Sequence, residues 1–231
     1  MADPSPCRLR ADRVSLRYFD GDAATYAVHH ACLCLRPAGF IGVIGPSGSG
    51  KSSLLYLLSG LKRATEGDVW MDAVPYSRMD DRALADLRRR RFGFVFQQPF
   101  LLSYLTAWEN VLTAAPHGDR SAGRRASTLL ESLGIGPLAN RHPYHLSGGE
   151  RQRVCVARAM INEPEVIFAD EPTAALDHVN GHAVIDLLAS YRHRGTVIVV
   201  THDAEMLAGA DRVYRMRDGI LENGDGPANL P

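Results

Sequence analysis

Residues 45–53 read GPSGSGKSS. They follow the apolar run FIGVI at 40–44 and precede a run at 54–61 whose apolar residues recur at helical spacing. Gly45, Gly48 and Gly50 admit positive φ and let the backbone approach a ligand with no Cβ in the way. A strand, a glycine-rich turn and a helix start together make a nest of backbone N–H groups at the positive end of a helix dipole, which is an anion site. Lys51 adds a mobile positive charge, and Ser52 adds a hydroxyl in the first helical turn. The string fits G-x-x-x-x-G-K-[ST], the loop that cradles the phosphates of a nucleoside triphosphate and holds its magnesium ion.

The rest of the chain sets bounds around that loop. Its 231 residues suffice for one large α/β domain with a substantial core. Lys plus Arg and Asp plus Glu each number 26, so charge gives no case for a nucleic-acid partner. The apolar runs fall well short of the roughly 20 residues that span a bilayer. The start, MADPSPCRLR, lacks the apolar core of a secretory signal. The expectation is a soluble, cytoplasmic chain, peripheral to the membrane if it acts there, with the spanning done by another protein. Cys32 and Cys34 sit two apart in an expected strand and have no second pair at metal-binding spacing. With Cys7 and Cys155 they are expected to be small apolar residues of a reducing compartment.

Alternation predicts strands at 8–18 and 26–35, joined through a turn at Phe19-Asp20-Gly21-Asp22. Further strands are expected at 67–71, 92–96, 166–169, 196–201 and 212–216, and helices at 80–91, 178–192 and 204–208. Residues 97–160 carry helix-like patterns and few strand signals, so they read as a helical insert in a parallel α/β core. The tail at 223–231 is rich in Gly and Pro and is expected to be loosely ordered.

Two more stretches carry chemistry. VIFADEPT at 166–173 is an apolar strand ending in adjacent carboxylates, Asp170 and Glu171. Parallel sheets place their chemistry at the carboxyl ends of strands. One carboxylate suits a magnesium ion, and the next suits the orientation of an attacking water. In LSGGERQRV at 146–154, Ser147 is a good N-cap, and Gly148 and Gly149 expose backbone N–H groups at a helix start. That is a second anion site, or an ordinary capped helix.

Taken together, GPSGSGKSS, LSGGERQRV, VIFADEPT, Ala175-Leu176-Asp177 and Thr201-His202-Asp203 resemble the full ordered motif set of an ABC-type ATPase. The resemblance covers nearly the whole chain, and LSGG shortly before a strand ending in Asp-Glu is specific to that family. It implies a single α/β domain over 1–231: a RecA-like phosphate-loop core at 1–96 and 161–231, an antiparallel β subdomain, and a helical subdomain at 97–160. It implies ATP and Mg2+ as cofactors. Gly45, Pro46, Ser47, Gly48, Ser49, Gly50, Lys51, Ser52 and Ser53 would line the phosphates, with Ser52 on the metal. Asp170 would hold the metal, Glu171 would be the catalytic base, and His202 would contact the γ-phosphate. Gln97 resembles the residue linking the γ-phosphate and metal to a membrane partner; Gln98 competes, but Gln97 directly ends the strand. Tyr18 resembles the aromatic that stacks on adenine, with Phe19 and Tyr26 as competitors. Ser147, Gly148 and Gly149 would close over the nucleotide of a second subunit, in a head-to-tail dimer of identical or closely similar chains. Two departures stand out: Pro37-Ala38-Gly39-Phe40 replaces the usual Gly-Glu pair before the strand, and Ala174 stands where Gly or Ser is common.

Two classes compete within the family: the motor of a membrane transporter, and a soluble or mechanically signalling ATPase serving envelope, division or nucleic-acid machinery. About 95 residues separate Lys51 from Leu146, with neither heptads nor clustered Cys, which favours the motor. QQPFLLSYLTAWENVL at 97–112 resembles the subfamily of macrolide exporters, lipoprotein-release ATPases and the cell-division ATPase. That resemblance implies a separate permease docking near Gln97 to Trp108, on Phe100, Leu101, Leu102, Tyr104, Leu105 and Trp108, and a hydrophobic, lipid-linked or peptide cargo.

Overall fold

The computed structural model describes residues 7–20 and 23–222. The tail at 223–231, and Gly21 and Asp22 of the expected turn, lie outside them. In chain order the described elements are β1 (Leu9–Asp20), β2 (Ala23–Leu35), β3 (Gly39–Ile44), α1 (Lys51–Leu58), β4 (Glu66–Met71), β5 (Val74–Pro75) and α2 (Asp81–Arg91). There follow β6 (Phe92–Val95), α3 (Ala107–Leu112), α4 (Ala122–Ser132), α5 (Gly148–Met160), β7 (Val166–Asp170), α6 (His178–Ser190), β8 (Thr196–Thr201), β9 (Arg212–Arg217) and β10 (Ile220–Glu222). The chain forms two compact units, one of Met1–Arg88 with Ile198–Pro231, the other of Arg89–Val197.

The first unit holds an antiparallel sheet in the order β2-β1-β4-β5. Along β1, Leu9, Ala11, Val14 and Leu16 are buried while Arg10, Asp12 and Arg13 face solvent. This is the alternation of a sheet with one wet face. The same unit carries β3 parallel to β9, with Ile41 opposite Arg212 and Ile44 opposite Arg215, and β10 antiparallel to β9. The expected helix at 204–208 is only a 3-10 turn, Glu205–Leu207.

The second unit is a short parallel pair, β6 and β7, packed with helices. Its register runs from Phe92↔Val166 to Val95↔Ala169. Every residue of β7 is buried, which is why it reads as a continuous apolar run rather than an alternating one. Phe94 and Phe168 stack at 5.7 Å, and Phe92 meets Phe168 edge-on at 5.1 Å. At the foot of the pair, Arg91 forks onto Glu165, with both N–O distances 2.6 Å.

The cysteine expectation needs correction. Cys7 and Cys34 form a disulfide, leaving Cys32 exposed and Cys155 buried as free thiols. The reason lies in the β1–β2 register. Leu9 pairs with Leu35, and the Arg8 amide donates to the Leu35 carbonyl at 2.8 Å, which carries Cys7 to within 5.4 Å (Cα–Cα) of Cys34. The bridge closes a span of 27 residues. In the chain-entropy picture a loop of that size contributes about 3–4 kcal/mol. Cys7→Ser, or a reductant, is therefore expected to lower the urea midpoint of the oxidised protein; an unchanged midpoint would refute the clip.

Candidate functional site

The glycine-rich loop joins β3 to α1 in the first unit. Gly50, with φ of 99°, is the N-cap of α1 in the left-handed region. A Cβ there would lie 1.9 Å from the Ala27 carbonyl oxygen, and one at Gly45 would lie 2.1 Å from the Met216 carbonyl oxygen. The loop is thus pressed against β2 on one side and β9 on the other, and only glycine fits. The Gly219 amide donates to the Ser49 carbonyl at 3.0 Å, pinning the loop to the β9–β10 turn.

Lys51 is buried, and its Nζ donates to the carbonyls of Gly45 at 2.8 Å and Pro46 at 3.0 Å, spanning the loop. Pro46, Ser47 and Gly48 form the exposed apex, while Ser52 and Ser53 are half-buried on the first turn of α1. Around Gly48 a Cβ would meet nothing within 4 Å. Ser49 is buried, and its hydroxyl has no hydrogen-bond partner among the described residues. An ammonium, an exposed glycine apex, backbone amides at a helix start and an unsatisfied hydroxyl fit a polyphosphate with its cation.

His202 also belongs to the first unit. It is exposed, immediately past the buried end of β8. The aromatics of β1 and β2 differ in their engagements. The Tyr26 hydroxyl donates to Glu66 Oε1 at 3.3 Å, and the Arg17 guanidinium lies 4.9 Å over the Phe19 ring. Tyr18 is 45% exposed.

The second unit carries the other residues. Because β6 and β7 are parallel and in register, both chains leave the same edge. Gln97 follows two residues after Val95, and Asp170 and Glu171 follow Ala169. Asp170 is buried, while Gln97 and Gln98 are both exposed. Glu171 adopts φ of 46°, so the chain turns sharply at this non-glycine residue, a kind of strain that clusters at functional sites. The turn continues through an Ala174 N–H to Glu171 carbonyl bond of 3.2 Å and ends at Asp177. Asp177 caps α6 by accepting from the Asn180 amide at 3.0 Å, and that bond holds its carboxyl below the usual range.

Ser147 starts α5 with a full capping box. Its hydroxyl accepts from the Glu150 amide at 3.3 Å, and its own amide donates to Glu150 Oε2 at 2.7 Å. Gly148 is half-buried and Gly149 buried; a Cβ on Gly149 would come within 2.7 Å of Asn180 Oδ1. Further along α5, a stripe of side chains grips the segment that follows β6. Gln152 Nε2 donates to the Phe96 carbonyl at 3.0 Å, Cys155 Sγ to the Pro99 carbonyl at 3.0 Å, and Arg158 to the carbonyls of Pro99 at 2.8 Å and Phe100 at 3.0 Å. Burial pushes the Cys155 thiol up to about 11, so it stays a neutral donor.

The sequence pattern of the ABC transporter family matches residues 28–174. The chain belongs to that family. It is an ATPase cassette of the ABC type, with the RecA-like fold that the motif set implies. The cassette is 42% identical over 210 residues to the macrolide export ATP-binding/permease protein MacB of Neisseria meningitidis, covering 89% of the chain but 33% of that relative. It thus spans about a third of that relative's length. It is 40% identical to the ABC transporter ATP-binding protein MJ1508 of Methanocaldococcus jannaschii, covering 92% of the cassette and 97% of the relative. Among solved structures, the dimeric post-hydrolysis state of the ATP-binding cassette MJ0796, bound to ADP and Pi, superimposes with a TM-score of 0.86 at 35% identity, over 96% of this cassette and all of that chain.

Several supports of the cassette's site carry no signal in the sequence. Ala27 of β2 and Met216 of β9 press on the phosphate loop, and Gly219 of the β9–β10 turn bonds to it, all from outside the motif itself. Gln152 had a findable signal, a polar residue in the apolar stripe of α5, where it is 2% exposed.

Proposed function

We infer that two copies of this cassette close head to tail on ATP and that the closure drives a membrane permease. The observation that carries this is the pairing, on one chain, of a glycine-cradled lysine loop with a second, separately capped helix start at Ser147. A chain with one of each completes two sites only by lending its capped helix to a partner. The dimeric MJ0796 structure supports the arrangement.

In this reading Lys51 and the amides of the loop at 45–53 hold the phosphates of ATP, and Tyr18 stacks on its adenine. Ser52, Gln97 and Asp170 would hold Mg2+, whose positive charge would lower the energy of a phosphoryl group in transfer. Glu171 takes the proton of the attacking water at its carboxylate. His202 contacts the γ-phosphate from the end of β8. Ser147, Gly148 and Gly149 direct hydroxyl and amide donors at the nucleotide of the facing copy.

The permease is supported by the exporter relative, whose name joins ATP-binding to permease. It is supported also by the segment after Gln97, where Phe100, Leu102 and Tyr104 are exposed at 65%, 39% and 72%. Trp108 is engaged with α4 instead, its indole N–H donating to Ser127 Oγ at 3.1 Å. Among the described residues no helix is long and apolar enough to cross a membrane. The cassette would then sit peripherally on the cytoplasmic face, moving a hydrophobic, lipid-linked or peptide cargo; the relative's name supports export and mentions macrolides.

The test is co-purification in detergent with the Glu171→Gln protein and ATP. Recovery of a permease with few membrane-spanning helices is expected. Recovery of soluble or nucleic-acid partners alone would overturn the motor assignment in favour of a non-transport ATPase.

A further inference from the structure

The second unit presents a pair of imidazoles outside the machinery above. His178 and His182 stand four residues apart on α6, one turn above the other on the same face. Their Nε2 atoms face each other at 3.2 Å, with ring centroids 4.3 Å apart and planes at 66°. His178 is exposed and His182 half-buried, so the pair opens to solvent.

We propose that His178 and His182 chelate one late divalent transition-metal ion, of the Zn2+ or Cu2+ class, as a staple across the first two turns of α6. The distance carries the argument. Metal–imidazole bonds of about 2.0–2.1 Å to both Nε2 atoms, at this separation, enclose an angle of about 100° at the metal, between the square-planar and tetrahedral values. Neutral imidazole is a ligand matched to zinc, copper and nickel, whereas magnesium selects oxygen. A hydrogen bond between two such nitrogens requires one ring to donate to the other's lone pair; a metal uses both lone pairs at once. The neighbouring charges favour a cation. Asp177 directly precedes the pair, and Asp186 lies one turn beyond His182 on the same stripe.

The place of the staple matters as well. Asp177 ends the turn that begins at Glu171, so fixing the first turns of α6 fixes the anchor of that turn.

The experiment is calorimetric titration of Zn2+ into the full chain at neutral pH, with circular dichroism to confirm folding of each variant. Wild type is expected to bind one equivalent that His178→Asn and His182→Asn each weaken by at least about tenfold, since even a residue that only orients a ligand costs that much. Cys32→Ser, which removes the exposed thiol, is expected to retain the binding. Thermal unfolding should rise with Zn2+ in the wild type and not in the two histidine variants. Cu2+ should bind more tightly than Zn2+. Histidine variants that bind Zn2+ as wild type does, or loss of the binding in Cys32→Ser, would overturn the assignment.

Discussion

Replacing Glu171 with Gln is expected to lower ATP turnover by about 10²–10⁴-fold, the usual contribution of a positioned general base. The same change should leave binding intact and let an ATP-bound dimer accumulate. The geometry makes the substitution clean. Glu171 follows a strand buried along its whole length, so its Cα is held by a rigid support. Its left-handed backbone is fixed by the turn to Ala174, which uses main-chain atoms and survives any side-chain change. Gln keeps the volume and the hydrogen-bonding reach of Glu and removes the basicity. Phosphate release, together with size-exclusion chromatography with and without ATP, reads both effects. A Glu171→Gln protein that turns over normally would remove the base assignment, and Asp170 would have to be reconsidered.

The second large effect is expected at Gly50, and here stability rather than turnover is the readout. Gly50→Ala combines two costs: a left-handed backbone that disfavours any Cβ, and a methyl group 1.9 Å from the Ala27 carbonyl oxygen. Together these amount to about 2–5 kcal/mol, a sizeable share of what a domain of this kind has to lose. Gly48 is the internal control. Its φ is also positive, at 78°, but nothing lies within 4 Å of its Cβ position. Gly48→Ala should therefore cost only the backbone preference, about 1–2 kcal/mol. Urea denaturation of the two variants should separate them clearly. Equal losses would mean that the backbone conformation, and not the pressure of β2 on the loop, sets the requirement for glycine.

Much of this molecule was legible before its structure. The strand-loop-helix around residues 45–53, the buried strand running into Asp170 and the cap at Ser147 were readable because each has a local cause: glycine pattern, apolar run, capping residue. Other elements have no local cause. The two residues of β5 and the three of β10 are too short for any alternation to show. Residues 204–208 carry helical composition but hold only a 3-10 turn. The Cys7–Cys34 bridge depends on the register between two strands, which cysteine spacing alone does not reveal. The left-handed turn at Glu171 occurs without a glycine to announce it. Of the six apolar or aromatic residues expected to face a partner, Phe100, Leu102 and Tyr104 are exposed and the other three are partly covered, a division set by the packing of residues distant in sequence.

The stripe of Gln152, Cys155 and Arg158 has a mechanical consequence. Main-chain carbonyls at Phe96, Pro99 and Phe100 are each held by a donor on α5. Peeling that segment away would strand the part-buried acceptors at Phe96 and Pro99, at about 1–3 kcal/mol apiece. The segment beyond Gln97 is thereby clamped along the helix that begins at Ser147, and loosening one is expected to loosen the other.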